Sequence, residues 1–236
     1  MHIHDSVNWN FILFGTCILC FNAGYINSLT LNTNYQISSA HVTGLVAKLS
    51  ISTFLEEWNI FFNLLITYMT FIFGAIISGI IIDYEIFHLG AKYGIMLIII
   101  GIVQLLGIIA EKKCNNSIYF IWTCSLSCGM QNGLTSKYSN NIIRTTHLTG
   151  TTTDFGVTIG HIIKGKTNEI HKLILQLISI ISFFCGGIFG TFAFHKYNHY
   201  ALSMSSFISF IIGFIYILFK KTYKIYIQDT PQQDIT

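Results

Sequence analysis

Arg144-Thr145-Thr146-His147-Leu148-Thr149-Gly150-Thr151-Thr152-Thr153-Asp154-Phe155-Gly156 is the polar interruption of an otherwise apolar chain, and its reading decides the fold. An earlier run, Ser38-Ser39-Ala40-His41-Val42-Thr43-Gly44, repeats its His-x-Thr-Gly core. Each copy follows a Gly-x-x-Asn, Gly24-Tyr25-Ile26-Asn27 in the first case and Gly129-Met130-Gln131-Asn132 in the second. From Asn to His is 14 positions in one copy and 15 in the other. A polar core that occurs twice, nearly in register, predicts two homologous halves with a site between them.

Around these runs the chain is built for lipid. Its 236 residues are 52% hydrophobic and 10% charged, whereas roughly a quarter of an ordinary soluble domain is charged. The windows 11–31, 60–82, 93–110, 118–134, 173–194 and 201–219 contain no Asp, Glu, Lys or Arg. A bilayer core asks for about 20 apolar helical residues, so each window is long enough to cross. The fold class expected is an all-α membrane protein of six transmembrane helices plus two short, polar-striped helices at about 41–55 and 147–163. The first of these reaches only about 22 Å and reads as a re-entrant element, which needs protein or a wet cavity around it.

The halves expected are 1–113 (helices about 11–31, 41–55, 60–82 and 93–110) and 114–219 (about 118–134, 147–163, 173–194 and 201–219), with 220–236 as a cytoplasmic tail. Three full spans per half is an odd number, which would invert one half relative to the other, as in many secondary transporters. If the short helices also span, the count is eight and the repeats are parallel. The sequence leaves both arrangements open. No basic residue precedes the first window, so no cleavable leader is expected. In the six-span scheme nine Lys and Arg lie on the side of the N-terminus and four on the other, which places both termini in the cytoplasm. The tail Lys220-Lys221-Thr222-Tyr223-Lys224 suits a membrane surface and calls for no nucleic acid.

Several chemistries find no support. Five of the six cysteines lie in apolar windows, and Cys17-x-x-Cys20 there reads as soft packing. His2 and His4 read as a frayed end. No nucleotide loop, nucleophile elbow or clustered metal motif occurs, so no cofactor and no metal are expected.

Projected at 100° per residue, His147, Gly150, Thr151, Asp154, Thr158 and His161 share one helix face, and His41, Gly44, Lys48 and Ser52 share the matching face of the first copy. Seven residues beyond each histidine stands Lys48 in one half and Asp154 in the other. If the two faces meet at the repeat interface, such a pair makes a buried ion pair, structural or functional, or a carboxylate that exchanges a proton or cation beside His147; otherwise Lys48 reaches the headgroups. Arg144 precedes the second helix and suits an anionic group, and Thr149 either caps that helix or contacts ligand. The site candidates are Asp154, His147, Arg144, Thr149 and Gly150, with His41, Thr43, Gly44, Asn27, Asn132 and Lys48. Gly24 with Asn22 and Asn27 either packs helices or lines a cavity. Gly74-x-x-x-Ser78 and Gly186-Gly187-x-x-Gly190 read as helix interfaces.

With these motifs the chain resembles the YoaK-like (DUF1275) family of bacterial inner-membrane proteins, from about Phe11 to Phe219. The resemblance implies a multi-pass protein of unassigned function. The activity expected is a small-solute or ion-coupled permease in the lipid bilayer, acting on a small polar or ionic solute and compatible with a homo-oligomer. The alternatives are a structural or partner-binding membrane protein, and an enzyme using His147 and Asp154 for acid–base work.

Overall fold

The computed structural model describes residues 9–82, 91–138, 145–166 and 169–228, and among them there are eight α-helices, one 3₁₀ turn and no strand. The helices are α1 (Trp9–Leu31), α2 (Val42–Phe54), α3 (Trp58–Ile81), α4 (Ala91–Cys114), α5 (Ser117–Tyr138), α6 (Leu148–Ile163), α7 (Ile170–Tyr197) and α8 (Leu202–Gln228). Four stretches are long and apolar enough to cross a membrane: Ile12–Leu31, Trp58–Ile81, Ala91–Cys114 and Ile170–Leu218. The last of these is divided by the 3₁₀ turn Asn198–Ala201, where Asn198 takes a left-handed φ of 51°, so it holds two helices. Its outer surface, like that of α3, carries exposed Phe73, Phe184, Phe192, Phe207 and Phe214, a covering compatible with lipid. α8 continues beyond the expected boundary at residue 219, through Lys220 and Lys224 to Gln228, because no Gly or Pro stops it. Residues 220–228 are therefore helical.

α5 is the exception in hydropathy, and its place explains why. Ser125, Ser127, Gln131 and Thr135 make it polar, yet these side chains are buried, as are Phe120, Ile121 and Cys124. It is the central helix, screened by α1, α3 and α4. A helix that meets protein on all sides can carry polar groups, provided its neighbours satisfy them.

Glycine sets the closest helix contacts. α1 packs on α7 where Gly24 lies against the Phe183 carbonyl, Gly186 against that of Phe21 and Gly190 against that of Tyr25. α3 packs on α5 where Gly129 lies against the Phe71 carbonyl and Gly74 against that of Leu126. Ser78 donates to the Met130 carbonyl at 2.5 Å, and Ser125 to that of Thr67 at 2.8 Å. In both pairs the contacts advance together along the two chains, so the partners run parallel. α4 and α8 run antiparallel: Gly94 meets Gly213, while Gly101 meets Phe210 and accepts from Ser206 at 2.7 Å. α1 and α5 are also antiparallel, since Leu29 clusters with Phe120 and Cys124 whereas Leu19 clusters with Met130 and Leu134. The end of α1 and the starts of α3 and α5 thus share one face of the bundle. The starts of α1 and α7 share the other, where the Trp9 and His171 rings meet edge to face at 5.1 Å.

Candidate functional site

The two polar runs sit where α1 and α5 hand the chain to the short helices. In the first, the Asn27 side-chain carbonyl accepts from Ser38 Oγ at 2.5 Å and from the Ala40 amide at 3.4 Å. Ser38 Oγ accepts from the His41 amide at 3.0 Å, and Thr30 Oγ1 accepts from the Ser39 amide at 3.1 Å. In the second, Asn132 accepts from Thr145 Oγ1 at 3.1 Å and donates to Thr146 Oγ1. Gln131 donates to Thr145 Oγ1 at 3.3 Å and to the Leu19 carbonyl at 2.9 Å. Asn27 and Asn132 are therefore clips that hold the segments leading into α2 and α6. Inside the bundle these bonds satisfy backbone and hydroxyl groups whose burial unpaired would cost energy.

The clips also set depth. Ser39 is buried against Cys128, halfway along α5, so α2 begins near the middle of the bundle and returns to the face where α3 starts. Thr145, also buried, lies beside Gln131 and begins α6 at a similar depth. α6 then runs to the opposite face, where α7 starts. Neither helix uses its histidine side chain as a cap: the His41 ring lies over Gly44, leaving no room there for a Cβ, and His147 precedes Leu148 without a side-chain bond. No histidine side chain caps either first turn, and the Leu148 amide bonds the Thr146 carbonyl at 3.0 Å.

Along α2, His41, Thr43 and Lys48 are exposed, and Gly44 is half-buried. Along α6, His147, Thr149 and Asp154 are exposed, and Gly150 is half-buried. Lys48 donates to the Gln36 carbonyl at 3.1 Å, and among the described residues it makes no ion pair with Asp154. Arg144 lies outside the described residues. The polar stripes are thus exposed at His41, Lys48, His147 and Asp154 and buried at Ser52 and Thr158, on two helices docked separately, α2 on α3 and α6 on α7.

Two features were not singled out from the sequence. A cavity of about 770 Å³ opens between α2 and α3 beside the start of α5, lined among others by Lys48, Glu57, Asn59, Asn63 and Asn116. A second, of about 400 Å³ on the same face, is lined by Glu111, Asn198 and His199. There His199 Nδ1 pairs with Glu111 at 3.1 Å, and its ring lies edge-on to Phe120 and Phe194. Burial holds the His199 pKa below its ordinary value of 6.5, and the Glu111 carboxylate opposes this in part. Sequence spacing gives no signal for the pair, whose members are far apart in the chain. Among the described residues no group of three or more His, Cys, Asp or Glu is arranged to hold a metal.

A family profile described as "Protein of unknown function (DUF1275)" matches residues 15–215, and the chain belongs to that family. No curated protein and no solved structure matches it.

Proposed function

For a DUF1275 chain of this architecture we propose a small-solute or ion-coupled permease built from two inverted halves. The observation that carries the reading is the reciprocity of the helix contacts. Adding 105 to a residue of α1 and 112 to one of α3 turns the contact of Gly24 with Phe183 into that of Gly129 with Phe71. The same shift turns Gly74 on Leu126 into Gly186 on Phe21, and Ser78 on Met130 into Gly190 on Tyr25. The first helix of each half thus packs on the third helix of the other. The opposed directions of α1 and α5, and of α4 and α8, favour inversion. On this reading α1, α3, α4, α5, α7 and α8 are six spans, and α2 and α6 are half-depth helices entering from opposite faces. Orphan polar atoms of Thr16, Asn22, Gln104, Ser205 and Ser209 add hydrogen-bonding capacity inside the bundle.

Half-helices whose free N-termini reach the membrane's middle are a recurrent way to hold a polar or charged solute. The ligand-facing candidates on α2 are His41, Thr43, Gly44 and Lys48. Those on α6 are His147, Thr149, Gly150 and Asp154, with Arg144 before it; Asn27 and Asn132 position both helices. The charge bias supports a bacterial inner-membrane orientation with both termini cytoplasmic. The test is thermal unfolding of the purified protein against a panel of ions, organic acids, amines and sugars at two pH values, with Asp154→Asn alongside. A ligand that binds the folded state raises the midpoint by mass action. The reading expects a ligand whose effect depends on pH and vanishes in the variant. A flat panel, or a response that Asp154→Asn leaves unchanged, refutes it.

A second reading, a partner-binding membrane protein, draws on α6 alone. Gly156 and Gly160 have open space beside them, as a face awaiting another helix would. Concentration-dependent self-association abolished by Gly160→Leu supports that reading over transport.

A further inference from the structure

The residues lining the cavity between α2 and α3 are partnered differently from their described counterparts in the other half. Its lining includes one cation, Lys48, one carboxylate, Glu57, and four amides, Asn34, Asn59, Asn63 and Asn116. Lys48 and Glu57 are both exposed, and no ion pair joins them to each other or to any other described residue. By the 112-residue shift Glu57 corresponds to Glu169, whose carboxylate meets His161 Nδ1 at 3.1 Å. By the same shift Asn59 corresponds to His171, against which Trp9 packs, and Asn63 to Leu175, which packs on Ile12. Among the described residues of the second half, these counterparts make ring and apolar contacts, and the carboxylate bonds a histidine. The first half leaves it open, amide-lined and carrying two unneutralised charges of opposite sign.

A common cavity with separated, uncancelled charges suits a molecule that carries both opposite charges. We propose that this groove binds a zwitterion, a solute or headgroup bearing an ammonium and an anionic oxygen group, with the ammonium at Glu57 and the anion at Lys48. The proposal rests on the inverted-repeat reading for its comparison of halves and on the cavity itself for its chemistry. The amides supply donors and acceptors that orient such a ligand without selecting one charge. Charge-assisted hydrogen bonds at both ends then reject a molecule that lacks either one.

Isothermal titration of the full-length protein in phospholipid-free detergent tests this with glycylglycine, glycylglycinamide, acetylglycylglycine and glycerophosphoethanolamine. The two zwitterions bind. The cation-only amide and the anion-only acetyl compound bind at least about tenfold more weakly, as do both zwitterions to Lys48→Gln and Glu57→Gln. Thr152→Ala, an exposed change on α6 that belongs neither to this groove nor to the residues proposed for the permease, leaves zwitterion binding unchanged. Glycylglycine binding identifies a free solute. Binding of glycerophosphoethanolamine alone identifies a lipid headgroup, and titrating phosphatidylethanolamine nanodiscs against phosphatidylglycerol ones confirms that source. Equal binding of all four compounds, no binding of either zwitterion, or full binding in both groove variants overturns the proposal. Both variants change exposed side chains, and unaltered thermal midpoints show that a lost signal is not lost folding.

Discussion

Gly129→Ala tests the packing on which the rest depends. A Cβ at this position falls on the Phe71 carbonyl, far inside the 3.0 Å that real Cβ atoms observe, and the obstacle is backbone rather than a flexible side chain. α3 and α5 must then move apart by roughly 1 Å or more, because a close-packed seam has no slack to absorb the methyl group. Overpacking of this kind costs about 1–3 kcal/mol. The same movement strains the bonds from Ser78 to Met130 and from Ser125 to Thr67, each worth about 0.5–1.5 kcal/mol. Together these give a loss of at most about 2–6 kcal/mol, or roughly 4–24 °C in the unfolding midpoint for a chain of this size. Scanning fluorimetry of the detergent-solubilised protein reads it directly. Gly24→Ala, which strikes the Phe183 carbonyl, loses a similar amount. Gly79→Ala and Gly156→Ala meet nothing within 4 Å, and at these helical positions alanine is neutral or stabilising by up to about 1 kcal/mol. If Gly129→Ala and Gly79→Ala have the same midpoint, the close contact of α3 with α5 is refuted.

Other consequences follow from single contacts. Asn132→Ala removes the side-chain partner of Thr146 and leaves Thr145 held by Gln131 alone, costs about 1–3 kcal/mol, and accelerates hydrogen exchange over 145–150 before the rest of the bundle responds. Tyr25→Phe removes the buried donor to the Ala201 carbonyl at 2.8 Å; the expected loss is about 1–3 kcal/mol, read by thermal unfolding. His199 gives a pH dependence. Its folded pKa lies below 6.5, so the unfolded chain takes up a proton first as pH falls. Stability present above pH 6.5 is therefore lost as pH falls from that value through the folded pKa. His199→Phe flattens that limb of the stability–pH curve, and an unchanged slope removes His199 as its source.

Helix placement was legible because charge is so costly in lipid that its absence outlines each apolar helix. The gap at 60–82 and α3 at Trp58–Ile81 coincide for this reason. α5 shows where hydropathy falls short: its serines and Gln131 are tolerated only because neighbouring helices surround them, which no local window can see. The duplicated polar runs were visible as motifs, but their division of labour was not. Asn27 and Asn132 hold chain segments, and Gly24 admits a backbone carbonyl rather than lining a cavity. An ion pair of Lys48 with Asp154 was one of the arrangements that the spacing allowed; in the described residues each side chain follows its own docked helix and stays exposed. The groove beside Glu57 escaped notice because its lining comes from four separate stretches of chain.

The central claim, two half-depth helices entering from opposite faces, is tested most directly by thiol labelling. Thr43→Cys and Thr149→Cys occupy equivalent exposed positions on α2 and α6, and each is placed in a cysteine-free background and reconstituted in oriented vesicles. A membrane-impermeant maleimide should label Thr43→Cys only from the face that carries residues 32–59, and Thr149→Cys only from the opposite face. Labelling of both from one face, or protection of both in folded protein, contradicts the account.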